Sequence, residues 1–267
     1  MIRDITIGQY YQTESVLHRL DPRTKLMGTL VFIISMFLAD TWIGYALSAV
    51  YLAAIIRLSH VPVSFIVRGL KAVMILLLIS VGFNLFLTNG EHEIISFWIF
   101  HITWEGIRQA FFMAIRLIFL IMGSSLMTLT TTPNQLTDGL ETGLGWMKKL
   151  HVPVHEISMM MSIALRFIPI LVDETDKIMK AQMARGADFE SGNLIERAKS
   201  LVPILVPLFI SSFRRATDLA MAMEARCYHG GENRTRMKPL RYENRDRLAY
   251  LVMAFYMAAM IALRSLL

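Results

Sequence analysis

One cysteine, Cys227, stands in 267 residues, which excludes an intrachain disulfide and any multi-cysteine metal cage. Charge is scarce as well: 18% of the residues are Asp, Glu, Lys or Arg, where soluble domains run near about 25%. No Gly-x-x-x-x-Gly-Lys-Ser/Thr loop occurs, so the chain lacks that route to ATP. His155-Glu156 is not continued to a second His at the spacing a zinc-binding helix needs, and Pro153 interrupts the pair His151 and His155. Cys227 has no evident His or Asp partner. Ser124-Ser125 and the threonines from Thr128 to Thr132 read as small polar residues packing between helices, not as nucleophiles.

What the chain has in abundance is apolar surface. Hydrophobic residues make up 55% of it, and the mean hydropathy is +0.49. Apolar runs cover residues 26–39, 42–56, 72–88, 107–129 and 248–263. Several fall a little short of the ~20 residues that cross a bilayer core, so flanking residues must contribute. The first run has no small-residue cleavage site behind it, and the expectation is no cleaved leader. These runs predict an all-α integral membrane protein with about five transmembrane helices.

The net charge of +6 would suit nucleic acid, but in a membrane protein an excess of Lys and Arg marks cytoplasmic loops. Arg3, Arg19, Arg23 and Lys25 precede the first run, and Arg57, Arg68 and Lys71 join the second to the third. Asp40, Glu91, Glu93 and Glu105 occupy the alternate connections, where Lys and Arg are missing and Trp98 and Trp104 supply interfacial aromatics. The expectation is a cytoplasmic N-terminus, with Arg264 in the outer tail as a discord.

This divides the chain into an N-terminal membrane domain of four transmembrane helices (1–131), a cytoplasmic or interfacial domain of three coupling helices (132–247) and a C-terminal transmembrane helix (248–267). The middle segment holds 17 of the 27 basic and 14 of the 21 acidic residues. Thr132-Pro133 opens a helix expected to reach about Leu150, Val152-Pro153 opens one that stops at Gly186, and Gly192 or Asn193 precedes a third that runs toward Gly230-Gly231. The second and third begin apolar (157–172 and 200–213) and finish charged. Two readings of the apolar halves stand: they lie along the membrane surface, or they form a transmembrane hairpin. Arg166, Pro169, Pro203 and Pro207 speak against a plain span.

Both helices close on nearly the same word, Ala181-Gln182-Met183-Ala184-Arg185-Gly186 and Ala222-Met223-Glu224-Ala225-Arg226-Cys227, 41 residues apart. A guanidinium at each helix end fits a docking contact, and it fits equally a charge that favours the negative end of the helix dipole. Within the spans, Arg116 is the unusual ion. It has either a functional role or a structural one, bonding to a carbonyl or Asn84 within the bundle or snorkelling. Near the N-terminus, Asp21 caps the first helix, Pro22 takes its first position, and Arg23 and Lys25 are expected to reach headgroups.

Together, the Leu17-His18-x-Leu20-Asp21-Pro22-Arg23-x-Lys25-Leu26 motif, the Leu165-Arg166-Phe167-Ile168-Pro169 stretch and the two Ala-Arg endings resemble the transmembrane coupling proteins (EcfT) of energy-coupling-factor vitamin transporters. The resemblance covers essentially the whole chain. It implies a subunit of the prokaryotic plasma membrane that joins two cytoplasmic ABC-type ATPases to a small substrate-binding membrane subunit, for uptake of a vitamin or micronutrient, through two long, crossed coupling helices. By match, Ala184-Arg185-Gly186 and Ala225-Arg226-Cys227 dock on the ATPases. ATP and Mg are then expected in those partners, with no cofactor in this chain and no nucleic-acid partner. Cys227 departs from the family's glycine, and the helix behind Arg226 is expected to continue about a turn to Gly230-Gly231.

Met159, Met160, Met161, Leu165 and Phe167 suggest a greasy platform for the substrate subunit, although a Met run packs ordinary helices too. The competing classes are a membrane enzyme, which needs clustered acids or a metal set, and a self-sufficient secondary transporter, which needs polar residues at mid-membrane in broken helices. Apart from Asn84 and Arg116, the chain supplies little toward either.

Overall fold

The computed structural model describes residues 10–87, 93–97, 100–189, 193–231, 237 and 239–266. Arg3, Glu91, Trp98 and Gly192, used in the charge and cap readings above, lie outside the described residues. The elements run α1 (Pro22–Leu38), α2 (Trp42–Ser59), α3 (Val63–Leu87), β1 (Glu93–Phe97), β2 (Phe100–Thr103), α4 (Trp104–Thr130), α5 (Pro133–Gly143), α6 (Val154–Ala184), α7 (Leu194–Ser200), α8 (Val202–Glu224) and α9 (Asn244–Leu266). The chain is helical as expected, except that the α3–α4 connection is an antiparallel ribbon pairing Glu93 with Thr103 and Phe97 with Phe100. The described residues form two units, 10–139 with 240–266 and 140–239, and the division falls inside α5.

Local chemistry explains where the helices of the first unit begin. Asp21 accepts a hydrogen bond from the Arg23 amide at 2.9 Å with Pro22 in the first turn. Thr41 and Thr103 cap α2 and α4 by accepting from Gly44 and Gly106. Thr132 and Gln135 cap α5 reciprocally: the Thr132 hydroxyl accepts from the Gln135 amide at 3.3 Å, and Gln135 Oε1 accepts from the Thr132 amide at 3.2 Å.

By length and composition, α2, α4, α6 and α9 can each cross a membrane, and α3 supplies a fifth span if its halves Val63–Lys71 and Val73–Leu85, bent by 63°, form one. This set differs from the expected one. At 17 residues α1 is just too short to count, and α6 qualifies although Arg166 and Pro169 lie inside it.

The core of the first unit joins α1, α2 and α9 through Phe32, Met36, Tyr45, Leu52, Tyr256 and Met260. At its centre the Tyr256 hydroxyl shares hydrogen bonds with Ser35 Oγ at 2.8 Å and Ser48 Oγ at 2.9 Å, and the Tyr256 ring stacks on Tyr51 at 4.1 Å between centroids. Three buried hydroxyls thus satisfy one another where water is excluded. Arg116 on α4 donates to the Ala39 carbonyl at 3.0 Å and lies 3.4 Å from Asp40 Oδ1. Its partners are that carbonyl and the Asp40 carboxylate, not Asn84, which donates to the Ser80 carbonyl instead. The discordant Arg264 lines a cavity with Asp40.

The N-terminal motif turns inward, contrary to the expectation of headgroup contact. Arg23 wraps back on Asp21, with Nε to Oδ1 at 3.0 Å and Nη2 to Oδ2 at 2.9 Å, and its guanidinium stands 3.9 Å over the Tyr242 ring. Lys25 is 7% exposed. Its Nζ donates to the carbonyl oxygens of Thr130 at 2.8 Å and His18 at 3.1 Å, holding the end of α4 to the start of α1. Asp246 on α9 accepts from the Asp21 amide at 2.9 Å. Orphan carbonyls at a helix end demand donors, and this requirement outweighs the pull of the lysine toward water. Burial pushes the His18 ring down from its ordinary value, reinforced by the Lys25 charge and opposed by the bond to the Tyr11 carbonyl.

Candidate functional site

The second unit is built on α6 and α8. Gln182 Nε2 donates to the Pro203 carbonyl at 3.4 Å. Further along, Glu174 accepts from the Ser211 hydroxyl and from Arg215, whose Nη2 and Nε lie 2.7 and 3.2 Å from Oε2. At the other end the Tyr228 hydroxyl donates to Met159 Sδ at 3.1 Å, and Gly231 lies so close to the His155 ring that a Cβ would overlap it. Partners descend along α6 as they ascend along α8, so the two helices are antiparallel and touch at both ends and the middle. The apolar half of one therefore accompanies the charged half of the other.

Glu174 lies beyond the apolar stretch 157–172. There the Ser211 hydroxyl and the Arg215 guanidinium share its carboxylate. The start of α6 is tied to α5 by Glu141, which receives the Ser158 hydroxyl at 2.7 Å and pairs with His155 Nδ1 at 2.9 Å. Pro207 and Pro169 both lie within continuous helix. Two boundaries differ from expectation. The first coupling helix stops at Gly143 and is followed by a 3-10 turn over Gly145–Leu150. The third breaks at Leu201 into α7 and α8, just ahead of Pro203.

The two Ala-Arg words adopt the same backbone. At the end of α6, Gly186 has φ of 89°, its amide donates to the Met183 carbonyl at 3.0 Å, and the Ala187 amide donates to the Gln182 carbonyl at 3.0 Å. At the end of α8, Cys227 has φ of 55°, its amide donates to the Glu224 carbonyl at 2.9 Å, and the Tyr228 amide donates to the Met223 carbonyl at 3.1 Å. Each is a Schellman closure with arginine at the cap and the next residue left-handed. The continuation to Gly230-Gly231 does not occur: Cys227 itself takes the glycine conformation. That strain, about 1–2 kcal/mol for a residue with a Cβ, is offset by closing the last carbonyls of α8. Ala184, Arg185, Gly186, Ala225, Arg226 and Cys227 are all exposed, and among the described residues neither guanidinium pairs with a carboxylate.

The antiparallel register sets the two arginines at opposite ends. Arg226 lies opposite residue 160 or so of α6, about 25 residues from Arg185, which is about 37 Å along the helix. The predicted Met platform is split. Met160 and Met161 are exposed together with Ile157 and Ile168 at helical spacing, whereas Met159 turns to Tyr228, and Leu165 and Phe167 are half-buried. A second exposed stripe, absent from the sequence reading, runs along α8 through Val202, Leu205, Val206, Phe209 and Phe213. Its i, i+3, i+4, i+7, i+11 spacing was legible. The Glu174 clamp was not, because its partners are 37 and 41 residues away. Among the described residues no group of His, Cys, Asp and Glu could hold a metal ion.

Comparison with known proteins agrees with this architecture. The family of cobalt transport proteins, CbiQ, matches residues 13–237. An energy-coupling factor transporter transmembrane protein EcfT from Clostridium kluyveri is 56% identical, covering 94% of this chain and 93% of the relative. The protein of the same name from Ruminiclostridium cellulolyticum is 53% identical over 98% of this chain and 97% of its own length. That from Bacillus subtilis is 44% identical over 99% and 100%. Shared identity at that level along nearly the whole length, on a bundle of apolar helices that can cross a membrane, places the chain in the EcfT family, the transmembrane components of energy-coupling factor transporters.

Proposed function

We infer that this chain couples two cytoplasmic ABC-type ATPases to a small membrane subunit that binds the substrate, and that it transmits ATP-driven motion for uptake of a vitamin or micronutrient. The N-terminus is cytoplasmic in this reading, ATP and Mg sit in the partner subunits, and unit 140–239 faces the ATPases. One observation carries it: two exposed arginines, each at the cap of an identically closed helix, stand at opposite ends of a bonded antiparallel pair. A dipole charge alone needs neither the matched closure nor the spacing. Two sockets about 37 Å apart along the pair need both.

A guanidinium at a rigid cap makes several bonds in a groove, and interface arginines are frequent hot spots, worth about 2 kcal/mol or more. The exposed stripes with Met160 and Met161 on α6 and Phe209 and Phe213 on α8 are the surfaces offered to the substrate subunit. The test is Arg185→Ala and Arg226→Ala, singly and together, with co-purification of the ATPases and ATP-driven uptake. Each single variant is expected to lose about thirtyfold in affinity for one ATPase, and the double variant to lose assembly. Full assembly and uptake in the double variant would overturn the docking reading.

A further inference from the structure

Within the first unit, α1, α2, α4 and α9, with Val16, Leu17 and Leu20 ahead of α1, line a partly open cavity of about 220 Å³. Each helix lines it with about two turns, over 25–32, 51–58, 123–130 and 245–253, so the slot is about 10 Å deep. Its walls are apolar. The hydroxyls of Thr29 and Thr130, which also line it, are spent on the carbonyls of Lys25 and Leu126 in their own helices. An apolar cavity of this size stays dry and accepts apolar ligands.

The slot is asymmetric in charge. Lys25 and Arg245 both line it, and both stand in the first turn of their helices, at the same end of the slot as Leu58 and Thr130. Lys25 is 7% exposed and has two of its three N–H groups on carbonyls. Among the described residues no carboxylate lies within ion-pair distance of its Nζ. The carboxylates of Asp21 and Asp246 act on its charge without a direct ion pair, so the third N–H group is left for an anionic oxygen. Among the described residues the Arg245 side chain has one loose partner, Glu243 at 3.6 Å, with both side chains near half exposed. The nearby Asp246 carboxylate is occupied by the amides of Asp21 and Glu243. The far end, at Phe32, Tyr51 and Val252, carries no charge.

We propose that this slot binds one acyl chain of an anionic phospholipid, with the phosphate of its headgroup facing Arg245 at the Lys25 end of the slot. Three of the helices that line it, α2, α4 and α9, are long and apolar enough to cross a membrane, so the Lys25–Arg245 end of the slot, at helix termini, is the end that a headgroup layer would meet. A free phosphate satisfies the cations and leaves the slot empty. A neutral lipid fills the slot and leaves the cations unmatched. Both features are met by a chain and an anion in one molecule.

The test uses the full chain assembled with its partner subunits, delipidated in detergent, with native mass spectrometry and thermal unfolding as readouts. The probes are phosphatidylglycerol, phosphatidylcholine with the same chains, and glycerol phosphate. One phosphatidylglycerol is expected to remain bound and to raise the unfolding temperature, outcompeting phosphatidylcholine. Glycerol phosphate alone is expected to do neither. Arg245→Gln, an exposed position, should cut the preference for the anionic lipid about fivefold, as one basic residue at a membrane surface does. Ala249→Phe should fill the slot and abolish the adduct for both lipids. Equal retention of the two lipids by the unaltered chain, an unchanged preference in Arg245→Gln, or stabilisation by glycerol phosphate as large as by the lipid would overturn the proposal. Should Ala249→Phe fail to assemble, the Arg245→Gln preference decides alone.

Discussion

Replacing Cys227 by glycine should stiffen the second arginine tip. Cys227 holds φ of 55°, a conformation that costs a residue with a Cβ about 1–2 kcal/mol. Glycine removes that strain but brings a freer unfolded chain, which returns about 0.5–1 kcal/mol. The net gain for closing the tip is about 0.5–1 kcal/mol, or about two- to fivefold in the local opening equilibrium. Amide hydrogen exchange reads it directly, because the Cys227 and Tyr228 amides are bonded to the Glu224 and Met223 carbonyls only while the closure is intact. Cys227→Gly is expected to slow both amides by that factor. Cys227→Val, β-branched and hence a worse fit to this region, is expected to speed them by at least as much. At the other tip, Gly186→Ala should speed the Gly186 and Ala187 amides, since Gly186 sits at φ of 89°. Equal exchange in the glycine, cysteine and valine forms would refute the strain argument.

Three further outcomes are expected. Glu174→Gln removes the charge that receives Ser211 and Arg215. At this half-exposed position it should loosen α6 from α8 by about 1 kcal/mol, read as slower disulfide trapping between Gln182→Cys and Pro203→Cys. Tyr256→Phe leaves Ser35 and Ser48 without their shared partner and should lower unfolding stability by about 1 kcal/mol, measured by thermal denaturation in nanodiscs. His18, held below its ordinary 6.5 by burial, takes up a proton on unfolding. Its contribution to stability is therefore complete above pH 6.5 and falls away as pH drops through the lower folded value. Unfolding temperatures at pH 7.5 and 5.5 should differ less in His18→Gln than in the parent chain.

What could be read from the residues was mostly short-range. Asp21 before Pro22, and Thr132 with Gln135, announce helix starts because a cap and its amide lie within three residues. The apolar runs announce spans because periodicity and length are properties of the run itself. The inward turn of Lys25 was hidden, since its acceptor on Thr130 lies 105 residues away and only the folded bundle leaves that carbonyl without another donor. The same distance effect concealed the antiparallel register of α6 and α8. Each helix taken alone shows an apolar start and a charged end, and nothing in that gradient says which end of one meets which end of the other. Cys227 misled for a different reason: a residue type sets a preference of about 1–2 kcal/mol, and two closing hydrogen bonds at a helix end outweigh it.

The position of Glu174 within the α6–α8 pair has a mechanical consequence. It lies 11 residues from Arg185, about 16 Å, and about 14 residues from the point opposite Arg226, about 21 Å. The charged clamp between the helices, Glu174 with Ser211 and Arg215, is thus a fulcrum near, but not at, the middle of a lever. Equal loads at the two arginines do not balance on such a lever, because the arm on the Arg226 side is longer by about a quarter. If the two arginines dock on ATPases as proposed, two identical strokes at its ends would leave a residual torque of fixed sign, giving the pair a direction even when its drivers have none.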